Sequence, residues 1–253
     1  MIPPTESRDP NDYLDHAATS WPKAPGVVEA ITHWYTDLGV SSDRGDGHAV
    51  AETRRRVAEV RRDLSDLFDT TADRVAFTSG ATESLHLAFT ALLRPGDRVV
   101  TTRTEHSSVA RPLRARTDLD LQIVECDATG RVDPADLIAA ITGTKTRLLV
   151  VNEASNVTGA IQELDPVLAA AKEQGVVTLL DACQSLGATA PPKRECAPDL
   201  IAASAHKALL GPPGLGFLAR HGARGAPPSR HKVGRIAATH RHHAEADRPQ
   251  ARR

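Results

Sequence analysis

The chain has 253 residues, 40% of them hydrophobic, which is enough for one large α/β domain or two smaller ones around a real core. A formal net charge of -1 gives no overall electrostatic case for nucleic acid or an anionic membrane, and three cysteines without C-x-x-C spacing argue against a disulfide scaffold or a zinc site and suit a reducing cytosol. The N-terminus has neither a basic nor an apolar leader pattern, and no apolar run approaches the roughly 18 residues that span a bilayer, so a soluble cytoplasmic protein is expected.

Residues 1–12 are polar and proline-bearing and read as a loose lead-in. Tyr13 to Thr19 makes a short extended segment running into a turn, and Pro25 starts a helix, where its missing N–H is not needed. Val27, Val28, Ile31 and Trp34 supply that helix's apolar face. Gly39 to His48 carries too many glycines for a regular element; it is either a plain connector or a loop that lets backbone approach a ligand or another subunit. From Ala49, Val50, Val57, Val60, Leu64, Leu67 and Phe68 recur at helical spacing with charges between them.

Arg74 to Thr78 reads as a strand, and Ser79-Gly80-Ala81-Thr82-Glu83 turns from it into an apolar helix ending near Leu93. Such a turn exposes N–H groups and the positive end of a helix dipole, which suits a phosphate; the alternative is an ordinary helix start capped by Thr82. The Walker spacing and its Lys are absent. Arg98 to Thr102, Leu121 to Val124, Arg147 to Val151, Val176 to Leu180 and Leu200 to Ala203 are further strands. Helices fall between them, one entered through Glu105-His106-Ser107-Ser108, one from Asp133-Pro134 to Ile141, and one from Asp165-Pro166 to Gly175. Strands apolar along their length, alternating with helices, point to a mostly parallel sheet covered on both faces, with ligands at the carboxyl ends of the strands.

Asp181 ends one apolar strand, and Lys207 follows Ser204-Ala205-His206 after the next. Taken alone, the Asp reads equally as a cap and the Lys as a solvated side chain. Together they offer what pyridoxal 5'-phosphate needs: an amine to form a Schiff base with its aldehyde and an anion to hold its ring nitrogen protonated. Gly211, Gly214 and Gly216 run G-x-x-G-x-G before a last strand ending near Arg220, without the following helix of a dinucleotide site. Residues 221–253 are rich in Arg, His, Ala and Pro and read as a disordered basic tail, with no metal site assigned to His240, His242 and His243.

Seven motifs in order carry a resemblance over residues 12–220: Tyr-Leu-Asp-His-Ala-Ala-Thr, Arg-Gly-Asp-Gly-His, Phe-Thr-Ser-Gly-Ala-Thr-Glu, Glu-His-Ser-Ser, Ala-Ser-Asn-Val-Thr-Gly, Asp-Ala-Cys-Gln-Ser and Ser-Ala-His-Lys. The chain resembles the class V aminotransferase family of fold type I pyridoxal phosphate enzymes, within it the cysteine desulfurase-like branch. The resemblance implies a large cofactor domain over residues 46–220, led by an N-terminal segment over 1–45 that belongs partly to a small domain. It implies phosphate contacts from Ala81, Thr82, Ser204 and His206, a further cofactor contact at Gly80, and ring stacking by His106. It further implies contact of Asn156 and Gln184 with the phenolic oxygen or substrate, of Asp181 with the ring nitrogen, and of Lys207 with the aldehyde carbon. Catalysis falls to Lys207, His106 and Asp181.

The implied activity is conversion of cysteine to alanine with sulfur transfer, in a homodimer acting on a small amino acid, with the sulfur acceptor unassigned and neither nucleic acid nor membrane as partner. The alternatives are a related aminotransferase or lyase acting on another amino acid, and a non-catalytic cofactor-binding product. Two departures stand out: Glu153 replaces a His common in desulfurase-like members, and Cys183 stands in a run that is usually Asp-Ala-Ala-Gln, where it reads as a buried filler. The resemblance also implies a C-terminal small domain with a carboxylate-binding Arg and a nucleophilic Cys, for which no counterpart is expected among residues 1–220. The compositional change after Arg220 reads as a frameshift or early termination that leaves Leu14, Trp21 and Trp34 partly exposed.

Overall fold

The computed structural model describes residues 12–189 and 194–221. Seven strands form one sheet in the order β1-β7-β6-β5-β4-β2-β3. These are β1 (Val75–Thr78), β2 (Arg98–Thr102), β3 (Asp120–Val124), β4 (Thr146–Asn152), β5 (Val177–Asp181), β6 (Leu200–Ser204) and β7 (Gly216–Arg220). β7 pairs antiparallel with both β1 and β6, while every other pairing is parallel, so β7 alone runs against its neighbours. The mostly parallel sheet expected from the alternating pattern is therefore present. The β7 reversal has a local cause, since the connection over residues 205–215 carries no helix and is too short for the crossover a parallel return requires.

Six α-helices accompany it among the described residues: α1 (Val27–His33), α2 (His48–Leu67), α3 (Ala81–Leu92), α4 (Ser107–Ala115), α5 (Pro134–Ile141) and α6 (Asp165–Glu173). The double covering follows from the strands' alternation. On β4, Leu148 and Val150 pack with Leu85, Phe89, Val109 and Leu113 of α3 and α4. Leu149 and Val151 face the opposite way, onto Leu137, Ile141, Val167 and Leu168 of α5 and α6. A third cluster joins Leu64 and Phe68 at the end of α2 to Val75, Phe217 and Ala219 on the β1–β7 edge.

Helix starts match the sequence chemistry unevenly. Asp133 caps α5 through Ala135 N at 2.8 Å, with Pro134 as the first helical residue. At α3 the N-cap is Gly80, not Thr82, whose place in the first turn leaves it outside the capping position. The apolar face expected on α1 is only partly buried: Val27 is covered, whereas Val28 is 65% and Ile31 40% exposed. Val57 and Val60 on α2 are exposed as well, because α2 buries only its two ends, Val50 and Thr53 at one and Leu64 and Ser65 at the other. Leu14 is fully in the open, and Trp21 and Trp34 are half-buried.

No helix among the described residues is long and apolar enough to cross a membrane. The tail expected over residues 221–253, with its histidines, lies outside the described residues apart from His221, whose N–H donates to Asp199 O at 2.8 Å. Residues 1–11 of the lead-in lie outside them too.

Candidate active site

The carboxyl ends of β1, β2, β4, β5 and β6 lie on one edge of the sheet and deliver the residues singled out in the sequence. Gly80 follows β1 and begins α3, a helix long enough to present a full dipole, and the Ala81 N–H donates to Ser204 Oγ at the end of β6 at 3.0 Å. The two halves of the expected phosphate seat, separated by more than a hundred residues in the chain, are thus in direct contact. Thr82 is exposed beside them. Gly216 makes this approach possible, because a Cβ there would lie 2.4 Å from the carbonyl carbon of Gly80.

Asp181 closes β5 almost wholly buried, and its Oδ1 accepts from Cys183 N at 3.0 Å. Cys183 turns its sulfur toward Ser204 Oγ at 3.8 Å, so the unusual thiol of this half-buried residue sits between the acid and the seat. Burial pushes that thiol far up, with the Asp181 charge acting in the same direction and the Lys207 charge opposing. The residue is half-buried, short of the buried filler expected from the sequence, and the shift favours the thiol over the thiolate.

His106 is the N-cap of α4: its Nδ1 accepts from Ser108 N at 3.2 Å and lies 2.8 Å from Ser108 Oγ, which fixes the ring's orientation while the residue remains exposed on the open edge. Lys207 is half-buried in the turn after β6, closed by Leu210 N donating to Lys207 O at 2.8 Å.

The peptide before it is held by four donors on one oxygen. His206 O accepts from Ser20 N and Ser20 Oγ, each at 2.9 Å, and from Thr19 Oγ1 and Lys23 Nζ, each at 3.1 Å. His206 Nδ1 also lies 3.0 Å from Thr19 Oγ1. Burial is the main reason its ring is less basic than usual, with the charges of Lys207 and Lys23 adding to the effect. Asn156 is half-buried in the turn after β4, while the Gln184 amide is spent on Ala17 O at 2.9 Å. The N-terminal segment therefore straps the Lys207 turn, a role that its polar, aperiodic sequence did not signal.

Two further acids lie at the strand ends. Glu153, after β4, is buried and raised above the usual carboxylate range, mainly by desolvation. Glu105, after β2, joins Thr102, Thr104 and Asn152 in a polar cluster that sequence reasoning missed. Its only sequence signal was position, directly before His106. A surface groove of about 490 Å3 between the β2–β3 edge and α5 is lined by Arg98, Gln122, Glu125 and Asp136, away from all of these residues. No group of three or more potential metal ligands occurs among the described residues.

The donor set fits pyridoxal phosphate: an amine, a buried carboxylate, an exposed imidazole, and a hydroxyl with N–H groups at a helix start, all on one edge. The description "aminotransferase class-V" matches residues 12–240 of the chain. The chain belongs to the class V aminotransferase family. Among curated relatives of this family member are a probable cysteine desulfurase of Methanothermobacter thermautotrophicus, 34% identical over 209 residues, and one of Pyrococcus abyssi, 33% identical over 212. Each match covers 81% of this chain and 52% of the relative, so the chain spans about half the length of the curated relatives it matches. Among solved structures, the apo cysteine desulfurase of Thermococcus onnurineus superimposes with a TM-score of 0.77 at 26% identity, over 92% of this chain and 67% of that one. The sheet is thus that of the fold type I enzymes.

Proposed function

We propose that these residues form the cofactor-binding part of a pyridoxal phosphate-dependent enzyme of cysteine desulfurase type, acting on a small amino acid. The observation that carries this reading is the convergence of Lys207, Asp181, His106 and the Gly80–Ser204 seat on one edge of the sheet. The desulfurase relatives support the choice of cysteine over another amino acid. When bound, pyridoxal phosphate supplies an electron sink for the carbanion formed at the substrate's α-carbon.

The chain's residues have separate tasks. The start of α3 and the Ser204 hydroxyl would hold the phosphate. Asp181, buried at the end of β5, would keep the ring nitrogen protonated, and the oriented His106 imidazole would lie beside the ring. Lys207 would hold the aldehyde carbon and would take and return the proton at the substrate's α-carbon.

The test adds cysteine, serine or alanine to cofactor-loaded protein and follows the visible spectrum together with released alanine and sulfide. Cysteine should give the largest change, lost in Lys207→Ala. Equal responses to all three would overturn the choice of substrate, and failure to hold the cofactor would overturn the whole reading. Cofactor capture without turnover would instead favour a non-catalytic binder.

A further inference from the structure

Glu105 stands at the centre of a hydrogen-bond chain whose protons can be counted. Its Oε1 lies 2.7 Å from Thr102 Oγ1, which lies 2.9 Å from Thr104 Oγ1, which lies 3.1 Å from Asn152 Oδ1. The Asn152 amide is oriented by its other end, because Nδ2 donates to Thr104 O at 2.8 Å, so Oδ1 can only accept. These three oxygen–oxygen contacts need three protons, and the two threonine hydroxyls supply two. With Glu105 ionised, one contact would set lone pair against lone pair. With a proton on Oε1, the chain runs in one direction from Glu105 through Thr102 and Thr104 to Asn152, and every contact is a hydrogen bond. Asn152 N still donates to Oε1 at 3.0 Å, and the buried Oε2, which has no partner, becomes the carbonyl oxygen of a neutral acid rather than half of an unpaired charge.

We propose that Glu105 is held as a neutral carboxylic acid at physiological pH, and that this protonated side chain is the positioning residue fixing the turn that carries His106 to the end of β4. The surroundings act in the same sense. Burial raises the carboxyl to about 8, and the Asp181 charge from β5 adds to that, while the bonds from Thr102 and Asn152 oppose it. His106 follows it in the chain. A neutral Glu105 spares Asp181 a second anion beside it. Ionisation would remove one proton from the chain and loosen its grip on the turn. The link to the cofactor rests on the roles proposed above for His106 and Asp181; the protonation state does not.

The decisive experiment needs no cofactor: an infrared titration of protein carrying carbon-13-labelled glutamate. A carboxylic-acid carbonyl band should persist through neutral pH, disappear with a midpoint near 8, and be absent from Glu105→Gln. Because Glu153 is also a buried acid, Glu153→Gln serves as the second variant and should keep the band. A band that survives in Glu105→Gln, vanishes in Glu153→Gln, or titrates wholly in the ordinary carboxylate range would overturn the assignment.

Positioning is read separately, from non-covalent pyridoxal phosphate binding in a Lys207→Ala background. There the affinity should fall about tenfold across the transition, a change of roughly 1.4 kcal/mol, when Glu105 is present and not when it is Gln. Parallel pH profiles would refute the positioning role. Failure of both proteins to bind cofactor would overturn the functional reading and the positioning role with it, leaving the infrared result to decide protonation.

Discussion

Gly216→Ala is the substitution for which the fold makes the sharpest demand. A Cβ at residue 216 would lie 2.4, 2.5 and 2.8 Å from the C, Cα and N atoms of Gly80. Carbon atoms in contact prefer about 3.5–4.0 Å, so something must move by roughly 1 Å. Both partners are backbone, and no flexible side chain can give way. Gly216 is also paired with Thr78 on one side and Ser204 on the other, so its strand cannot slide alone. Overpacking of this kind costs about 3 kcal/mol, a large part of the roughly 5–15 kcal/mol that holds a typical domain together. Urea unfolding is the assay: at about 1–3 kcal/mol per molar urea, the midpoint should fall by roughly 1 M or more. Cofactor affinity should fall too, since the displacement opens the Ala81–Ser204 contact. Gly96→Ala is the control, because Gly96 has a φ of +83° but nothing within 4 Å of a new Cβ; only backbone strain, about 1 kcal/mol, is expected. A Gly216→Ala variant within about 0.5 kcal/mol of the parent would refute the reasoning.

Glu105 makes stability depend on pH with a definite sign. Its carboxyl is raised from 4.5 to about 8 on folding, so between those values the folded form keeps a proton the unfolded chain has lost, and stability falls as pH rises through that window and levels off above it. The span corresponds to on the order of 3–5 kcal/mol, measured by urea unfolding across the pH range and absent in Glu105→Gln. Cys183, with its thiol pushed up by burial, should react with a thiol-specific alkylating reagent at least about tenfold more slowly than a free cysteine peptide in mildly alkaline solution; equal rates would contradict its placement. Asp181→Asn should keep the Cys183 N–H bonded through its amide oxygen and leave the fold intact, while any carbanion chemistry in cofactor-loaded protein falls by about two orders of magnitude or more; a full rate would make the acid merely structural.

Parallel strands were legible because each is a short apolar run delimited by turn residues, and Asp133-Pro134 marked its helix start to the residue. The antiparallel β7 was legible as a strand but not as the partner inserted between β1 and β6, since pairing partners are chosen by tertiary packing. Periodicity overstated the cover on α1 and α2: it reports that Val28, Ile31, Val57 and Val60 could be buried together, not that a neighbour lies against them. At the site, residue types that chemistry singles out, such as Asp181 and Lys207, could be picked from sequence. The supporting polar groups could not. Thr19, Ser20 and Lys23 act through one carbonyl oxygen far along the chain, and Glu105 acts through hydroxyls and an amide from two strand ends. Such contacts exist only after folding.

The most direct test of the account is borohydride reduction of the protein loaded with pyridoxal phosphate, followed by peptide mapping of the modified lysine. The account predicts a visible chromophore that is lost on reduction, with the adduct on Lys207 and no labelled peptide from the Lys207→Ala variant. An adduct on Lys23, Lys145 or Lys172 in place of Lys207, or labelling undiminished in Lys207→Ala, would contradict it.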